Sequence, residues 1–427
     1  MNLDDLLAAT RPADLLPPRR RAEADRVVLP WTVVADVELG GSAPGIEPRL
    51  LLLEDARGVR YGVPAAIEDG RLRRATPGDG LAEAVVATLV TGSVVGLDVE
   101  SFAPVMMLMG ECGIDVDQTN ELVVVGQRAV VKWILHPTDD EQPAPERLAA
   151  LARAGFDGTP RPWGIVRLVG SPGALVAMIV DYVPDAMDGW DWAVDDVRAH
   201  ARDGVDVDST LAPVLEVAGL VARMHVALAA AGVGIATGED SADWHRRAVA
   251  DIDAAPLTPE LAARALPIVD RLARATGTPV IATHGDLHIG QILRSSAGRY
   301  YVIDFDGSPM LRPQDRLRPE PVARDVASML ASFDNVGRVV LHRTDDLDAA
   351  QQRRVLGWIE SAQAAFLTEY RQSLTAAGSS DLLVESLIAP FQVQQECREY
   401  AYAERYLPHW RYVPDAALPA LLDRGSA

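Results

Sequence analysis

The sequence predicts an α+β chain of two lobes, the first built on antiparallel sheet and the second mostly helical. Apolar and β-branched runs broken by Gly-containing turns dominate residues 31–183, apolar residues recur at three and four through 191–277, and 427 residues exceed what one hydrophobic core holds. Residues 1–25 read as a short amphipathic arm ending in Pro-Pro-Arg-Arg-Arg. Strand patterns follow from Trp31 to about Val63, and residues 78–93 read as a helix opened by Asp79. At 121–133 two β-branched runs flank Gly126-Gln127-Arg128, which predicts a hairpin with Lys132 on its second strand. Residues 163–185 predict a further hairpin completing a five-stranded sheet, with its exit at Asp181-Tyr182-Val183-Pro184. The helical spacing beyond is clearest at 211–228, where His225 reads as a packing histidine. The expected divisions are a cap at 1–100, a sheet lobe at 101–187 and a helical lobe at 188–427.

Composition narrows the partners. The net charge of 40 − 61 = −21 opposes binding to nucleic acid or to an anionic membrane, because both need a basic surface. The two cysteines, Cys112 and Cys397, have no zinc spacing and suggest a reducing cytosol. The acidic start is not that of a signal peptide, and no apolar run approaches the roughly 20 residues that span a bilayer. A cytoplasmic protein acting on a small neutral or cationic molecule is expected. Of the 40 basic residues only Lys132 is a lysine. A guanidinium does not replace a compact ammonium on a flexible stem, so the survivor marks a position that needs one.

The chemistry concentrates at 283–309. Asp286 and Gln291 lie on a loop rich in His and Gly, Ala297-Gly298 permits a turn, and Tyr-Tyr-Val-Ile delivers Asp304 at its end. Three oxygen-bearing side chains at one end of a hairpin suit phosphoryl transfer from ATP. One carboxylate orients an attacking hydroxyl, and two oxygen ligands hold Mg²⁺ against the phosphates.

His-Gly-Asp, an amide five residues after the Asp, and Asp-Phe eighteen residues after it resemble the catalytic loop and metal-binding Asp of kinases of the aminoglycoside phosphotransferase type. A Gln where those enzymes usually have Asn, and the run Ser-Phe-Asp-Asn-Val-Gly-Arg-Val-Val at 332–340, make the chain similar to the actinobacterial maltokinase-like branch, nearest to its glucosamine-kinase members. The resemblance covers roughly 100–415. It implies a protein-kinase-like bilobal fold with an N-terminal cap, Asp286 as the catalytic residue, and Gln291 and Asp304 as Mg²⁺ ligands. It further implies Lys132 on the ATP phosphates with Glu146 as its helix partner. The polar loop Gln118, Thr119 and Asn120 then covers the nucleotide, and the Asp181 carbonyl and Val183 amide read adenine.

Near the C-terminus, Gln392, Gln395, Glu396, Glu399, Tyr402 and Tyr406 are spaced to share one helical face, finished by Trp410. Amides, carboxylates and an aromatic plane suit a sugar. Gln395, Glu396, Glu399 and Trp410, with Asp306, are the candidate acceptor site. Their surplus acid favours an amino sugar, so glucosamine comes first. Maltose and an aminoglycoside are the alternatives, with a catalytically inactive nucleotide-binding module as the rival class.

Overall fold

The computed structural model describes the chain except residues 1, 41–42, 93, 103–105, 115–120, 139, 171–173, 406 and 425–427, and the side chains of residues 19 and 21. Contacts gather it into two units, Met1–Ala152 with Pro160–Pro184, and Arg153–Thr159 with Asp185–Ala427. Apart from residues 153–159 and 185–187, the segments expected as cap and sheet lobe share one unit, and residue 100 lies inside the strand Leu97–Ser101.

The first unit holds two sheets. One runs in chain order through Thr32–Glu38, Ile46–Glu54, Arg60–Glu68 and Arg71–Arg74, each pair antiparallel. Its second strand carries four consecutive leucines, and both of its faces are covered. Leu50 and Leu52 pack into the core formed with the helix Leu81–Thr91 and the other sheet, while Leu51 and Leu53 pack on Leu6, Leu7, Leu15 and Leu16 of the N-terminal arm. An unbroken apolar run, rather than alternation, is what a strand buried on both faces requires.

The helix Leu81–Thr91 is not opened by Asp79 as its sequence suggested. Asp79 accepts from Arg73 and from the Thr76 amide, both at 2.6 Å. Glu111 instead receives the amides of Gly78, Gly80 and Glu83 at 2.7, 3.0 and 3.0 Å. A carboxylate from a strand about thirty residues downstream thereby satisfies the orphan donors of a helix N-terminus.

The second sheet has six strands among the described residues, ordered Leu97–Ser101, Pro162–Leu168, Leu175–Asp181, Ala129–Trp133, Glu121–Val125 and Glu111–Gly113. The expected count was five. The outer strands Leu-Asp-Val-Glu-Ser and Glu-Cys-Gly carry too little apolar alternation to announce themselves. The predicted hairpin forms with Gly126 and Gln127 at φ +58° and +55°, and the Arg128 amide donates to the Val125 carbonyl at 3.1 Å. Two central residues at positive φ match the right-handed twist of the flanking strands. Val131 and Trp133 face the core, which leaves Lys132 half-buried on the opposite face, between Leu122 and Met178 in register.

The second unit is helical, as predicted. Val322–Arg343 lies buried along most of its length and packs against Gly189–Asp203, Ala349–Ala376, Ile388–Arg405 and Tyr412–Arg424. The helix Val207–Ala229 is long and apolar enough by length and composition to cross a membrane, which the sequence reading did not anticipate. It packs here against Ala349–Ala376. Two short antiparallel strand pairs complete the unit, Gly234–Ile235 with the distant Pro279–Val280, and the hairpin of Ile292–Arg294 with Tyr300–Val302.

Burial of both faces of the first sheet sets an expected outcome. Leu51→Ala and Leu52→Ala each lower unfolding free energy in urea by about 2–5 kcal/mol. A loss confined to one of the two would show that the sheet has a solvated face.

Candidate active site

The loop from Thr283 to Gln291 is held by the helix behind it. Asp325, in the first turn of Val322–Arg343, accepts the His284 amide at 2.8 Å and the Gly285 amide at 3.0 Å, one on each carboxylate oxygen. Gly285 sits at φ +82°, a conformation that side chains resist. Buried His225 places Nε2 3.1 Å from the same carboxylate. Burial alone would raise the pKa of Asp325, but the hydrogen bond from His225 and that from the Gly285 amide hold the group below the ordinary carboxylate range.

His284 ties this loop to the hairpin. Its Nε2 lies 2.9 Å from the Ile303 carbonyl and donates to it, so Nδ1 is the acceptor for the Asp286 amide at 3.3 Å. The Ile303 amide in turn donates to the Gln291 carbonyl at 2.9 Å. Gln291 therefore stands opposite the residue preceding Asp304, and the ladder brings both to one end of the hairpin. Asp304 has φ +64°, a left-handed conformation that Asp tolerates better than most residues. The next residue, Phe305, is buried with its ring 4.8 Å from the His284 ring.

Asp286 is half-buried, and its pKa is raised to about 7. Desolvation is the largest cause, followed by the charges of Asp304 and Asp325, which Arg398 and Arg316 only partly offset. Among the described residues no group of three or more His, Cys, Asp or Glu forms a ready-made metal site. The donors at the hairpin end are one amide oxygen and one carboxylate, beside a second carboxylate whose proton affinity records an uncompensated negative field. Hard oxygen donors, few in number, fit Mg²⁺ shared with nucleotide phosphates rather than a closed protein cage. The Gln291 carboxamide lies 3.3 Å from His288 Nε2, and His288 Nδ1 accepts the Gly290 amide at 3.1 Å. Burial lowers the pKa of His288, which keeps the ring neutral.

On the helix Ile388–Arg405, Gln395 donates to Glu399 Oε1 and Trp410 Nε1 donates to Glu399 Oε2, both at 3.1 Å. Despite these bonds Glu399 has a raised pKa, through burial first, with the Asp286 charge also pushing it up. Three of the four acceptor candidates near the C-terminus thus form one bonded group within electrostatic reach of the catalytic loop. Glu396 lies deeper on the same helix. It is 2% exposed, its Oε2 has no hydrogen-bond partner among the described residues, and burial followed by the charges of Asp334 and Glu399 raises its pKa. It lies beneath the polar face, because helical spacing that aligns 392, 396 and 399 does not distinguish the inner edge of a face from its crest. Asp306 is half-buried two residues beyond Asp304, and Tyr406 lies outside the described residues.

Asp188, Trp190 and His288 were not singled out for chemistry from sequence. Asp188 caps the helix Gly189–Asp203 through the Trp190 amide at 2.8 Å, and Trp190 meets Trp410 edge to face at 5.7 Å. A Cβ at position 189 would stand 1.6 Å from the Ile289 carbonyl oxygen, so backbone packs on backbone there. The Asp-Gly-Trp helix start was the available signal.

In the first unit, Glu146 lies exposed in the first turn of Pro143–Arg153. Asp181 ends its strand and accepts from Trp163 Nε1 at 2.6 Å, and Val183 follows two residues later. Gln118, Thr119 and Asn120 lie outside the described residues.

The raised pKa of Asp286 carries a sign. In the range between the ordinary carboxylate pKa and about 7, the unfolded chain has released a proton that the folded one keeps. Stability contributed by this group therefore falls as pH rises through that range, and the loss is complete above it. Asp286→Asn is expected to raise Tm at about pH 8 without nucleotide or metal, with the gain vanishing near pH 4. A gain independent of pH in thermal unfolding would refute the assigned field.

Comparison with known proteins places the chain in a family. The model of the phosphotransferase enzyme family matches residues 199–359. A glucosamine kinase of Streptacidiphilus jiangxiensis is 44% identical over 99% of this chain and 98% of its own. A second, from Mycolicibacterium smegmatis, is 40% identical over 84% and 92% respectively. A solved glucosamine kinase in complex with glucosamine, ADP and inorganic phosphate superposes with TM-score 0.82 at 42% identity, covering 99% of each chain. With relatedness running nearly end to end, the chain belongs to the phosphotransferase enzyme family, in its glucosamine kinase branch.

Proposed function

We propose that this protein transfers the γ-phosphoryl group of ATP to a hydroxyl of glucosamine, giving glucosamine 6-phosphate. The observation that carries the choice of acceptor is the acid-rich group of Asp286, Glu396 and Glu399, whose pKa values are raised by burial first and by the field of neighbouring carboxylates after it. A cation relieves such a field, and glucosamine brings an ammonium where maltose brings none. The names of the relatives, and the glucosamine and ADP bound to one of them, support the same reading.

In the proposed reaction the sugar hydroxyl attacks phosphorus, the bond to ADP breaks, and the hydroxyl proton passes to Asp286. A carboxylate whose pKa is held near neutrality is suited to take that proton late and return it to solvent. Gln291 and Asp304 are assigned to Mg²⁺, which when bound neutralises charge on the transferring phosphoryl group. Lys132, with Glu146 as its partner, is assigned to the α- and β-phosphates. Gln118, Thr119 and Asn120 are assigned to the nucleotide loop, and the Asp181 carbonyl and Val183 amide to adenine. Glu399 receives the sugar ammonium, Gln395 and Asp306 its hydroxyls, and Trp410 its C–H face. Glu396 is assigned to the field beneath them. The proposed setting is the cytoplasm.

Two measurements test this. ADP release with Mg-ATP across glucosamine, N-acetylglucosamine, glucose, maltose and an aminoglycoside is expected to be fastest with glucosamine and poor with the acetylated sugar, which has lost its charge. Preference for maltose overturns the acceptor assignment, and silence with every sugar favours an inactive nucleotide-binding module. Asp286→Asn is expected to lower turnover by about 10²–10⁴-fold while ATP binding stays near wild type. Wild-type turnover in that variant refutes the role of Asp286.

A further inference from the structure

Behind the catalytic loop a line of buried polar groups continues past Asp325. His225 presents both ring nitrogens to partners, Nε2 at 3.1 Å from Asp325 and Nδ1 at 2.7 Å from the Tyr370 hydroxyl. All three side chains are at most 1% exposed. They stand on three helices, Val207–Ala229, Val322–Arg343 and Ala349–Ala376. Asp325 then grips the amides of His284 and Gly285, immediately before Asp286.

The donor and acceptor roles can be assigned along the whole line. An ionised Asp325 only accepts, so Nε2 of His225 carries a proton and donates. In a neutral imidazole that donates from Nε2, Nδ1 is an acceptor, and among the described residues the hydrogen-bond partner it meets is the Tyr370 hydroxyl. The Tyr370 hydroxyl therefore selects the one neutral tautomer of His225 that can donate to Asp325. Without that hydroxyl the proton has no reason to prefer Nε2. In the other tautomer Asp325 faces a lone pair, and its grip on the loop loosens.

We propose that Tyr370 is a positioning residue for the phosphoryl-transfer reaction, acting through His225 and Asp325 to fix the backbone that carries Asp286. This rests on the kinase reading above, since it concerns the same loop. Tyr370 is separated from the loop by His225 and Asp325 and is assigned no contact with substrate or metal. Its effect falls on the placement of the attacking hydroxyl, so it acts on turnover rather than on affinity.

The test is Tyr370→Phe, which removes the hydroxyl and keeps the ring stacked on Phe366 at 6.0 Å between centroids. Wild-type activity on glucosamine is measured first, so an inactive parent refutes the kinase reading and not this relay. The expected result is a fall in kcat of about 5- to 10-fold, the scale of one neutral hydrogen bond lost from a buried network, with KM for ATP and sugar within twofold. Nitrogen-15 spectra of His225 are expected to show Nε2–H alone in wild type and a mixture of tautomers in the variant. As a second arm, His225→Gln offers an amide that donates to Asp325 and accepts from Tyr370, and it is expected to retain more kcat than His225→Leu. Unchanged kcat in Tyr370→Phe, or an unchanged His225 tautomer, overturns the proposal. So does a kcat loss accompanied by equal rises in both KM values, which marks general loosening.

Discussion

A buried carboxylate that must stay ionised organises the catalytic half of this protein. Taking Asp325 out of water is unfavourable by several kcal/mol in the general case, and such a charge persists only where hydrogen bonds replace its hydration. Here the replacements are His225 and two successive backbone amides, those of His284 and Gly285. The left-handed turn at Gly285 is what aims two adjacent amides at one carboxylate. Ionisation of Asp325 and the conformation of the loop are thus the same equilibrium viewed from two sides. The contribution is a depressed-pKa one: present above the unfolded carboxylate pKa, and lost as acid protonates the folded group.

Charge is distributed unequally around that loop. On the inner side of the helix Ile388–Arg405, Gln394 and Arg398 both donate to Asp251, at 2.7 and 2.8 Å, while Arg324 bridges Gln394 and Glu320. These groups largely answer one another. On the side of Glu399 and Asp286 the acids exceed the bases, and the pKa values rise accordingly. The net charge of −21 does not explain this, since exposed acids are screened by water and salt. What matters is that the excess is desolvated.

The catalytic loop and hairpin were legible in sequence because their logic is local. Asp286, Gln291 and Asp304 sit within nineteen residues, joined by a turn whose Gly298 has φ +76°. The strand of Lys132 was legible for the same reason. Long-range partners were not. His225 meets Tyr370 across 145 positions and Asp325 across 100, and nothing in the local spacing of any of them names the others. Likewise Glu111 caps a helix that begins thirty residues earlier, whereas the nearby Asp79 carried the textual signal and serves Arg73 instead. Glu396 shows the limit of periodicity, which gives the angular position of a residue but not the depth of what packs over it.

The site also runs against stability. Asp286, Glu396 and Glu399 are carboxyls made harder to ionise, Asp304 holds a left-handed backbone, and a Glu396 oxygen is buried without a hydrogen-bond partner among the described residues. Each feature is unfavourable in the empty protein, and none is needed to close the hydrophobic core, which packs on the other faces of the same helices. Such a set persists where a ligand reverses the penalty. In the proposed function two cations do so, an ammonium at Glu399 and one shared with nucleotide phosphates at Asp304, because each would offset negative charge that burial has stripped of water. Affinity for both then comes from the strain of the unliganded state. The rigid relay behind Asp325 keeps the loop from relaxing that strain by moving away.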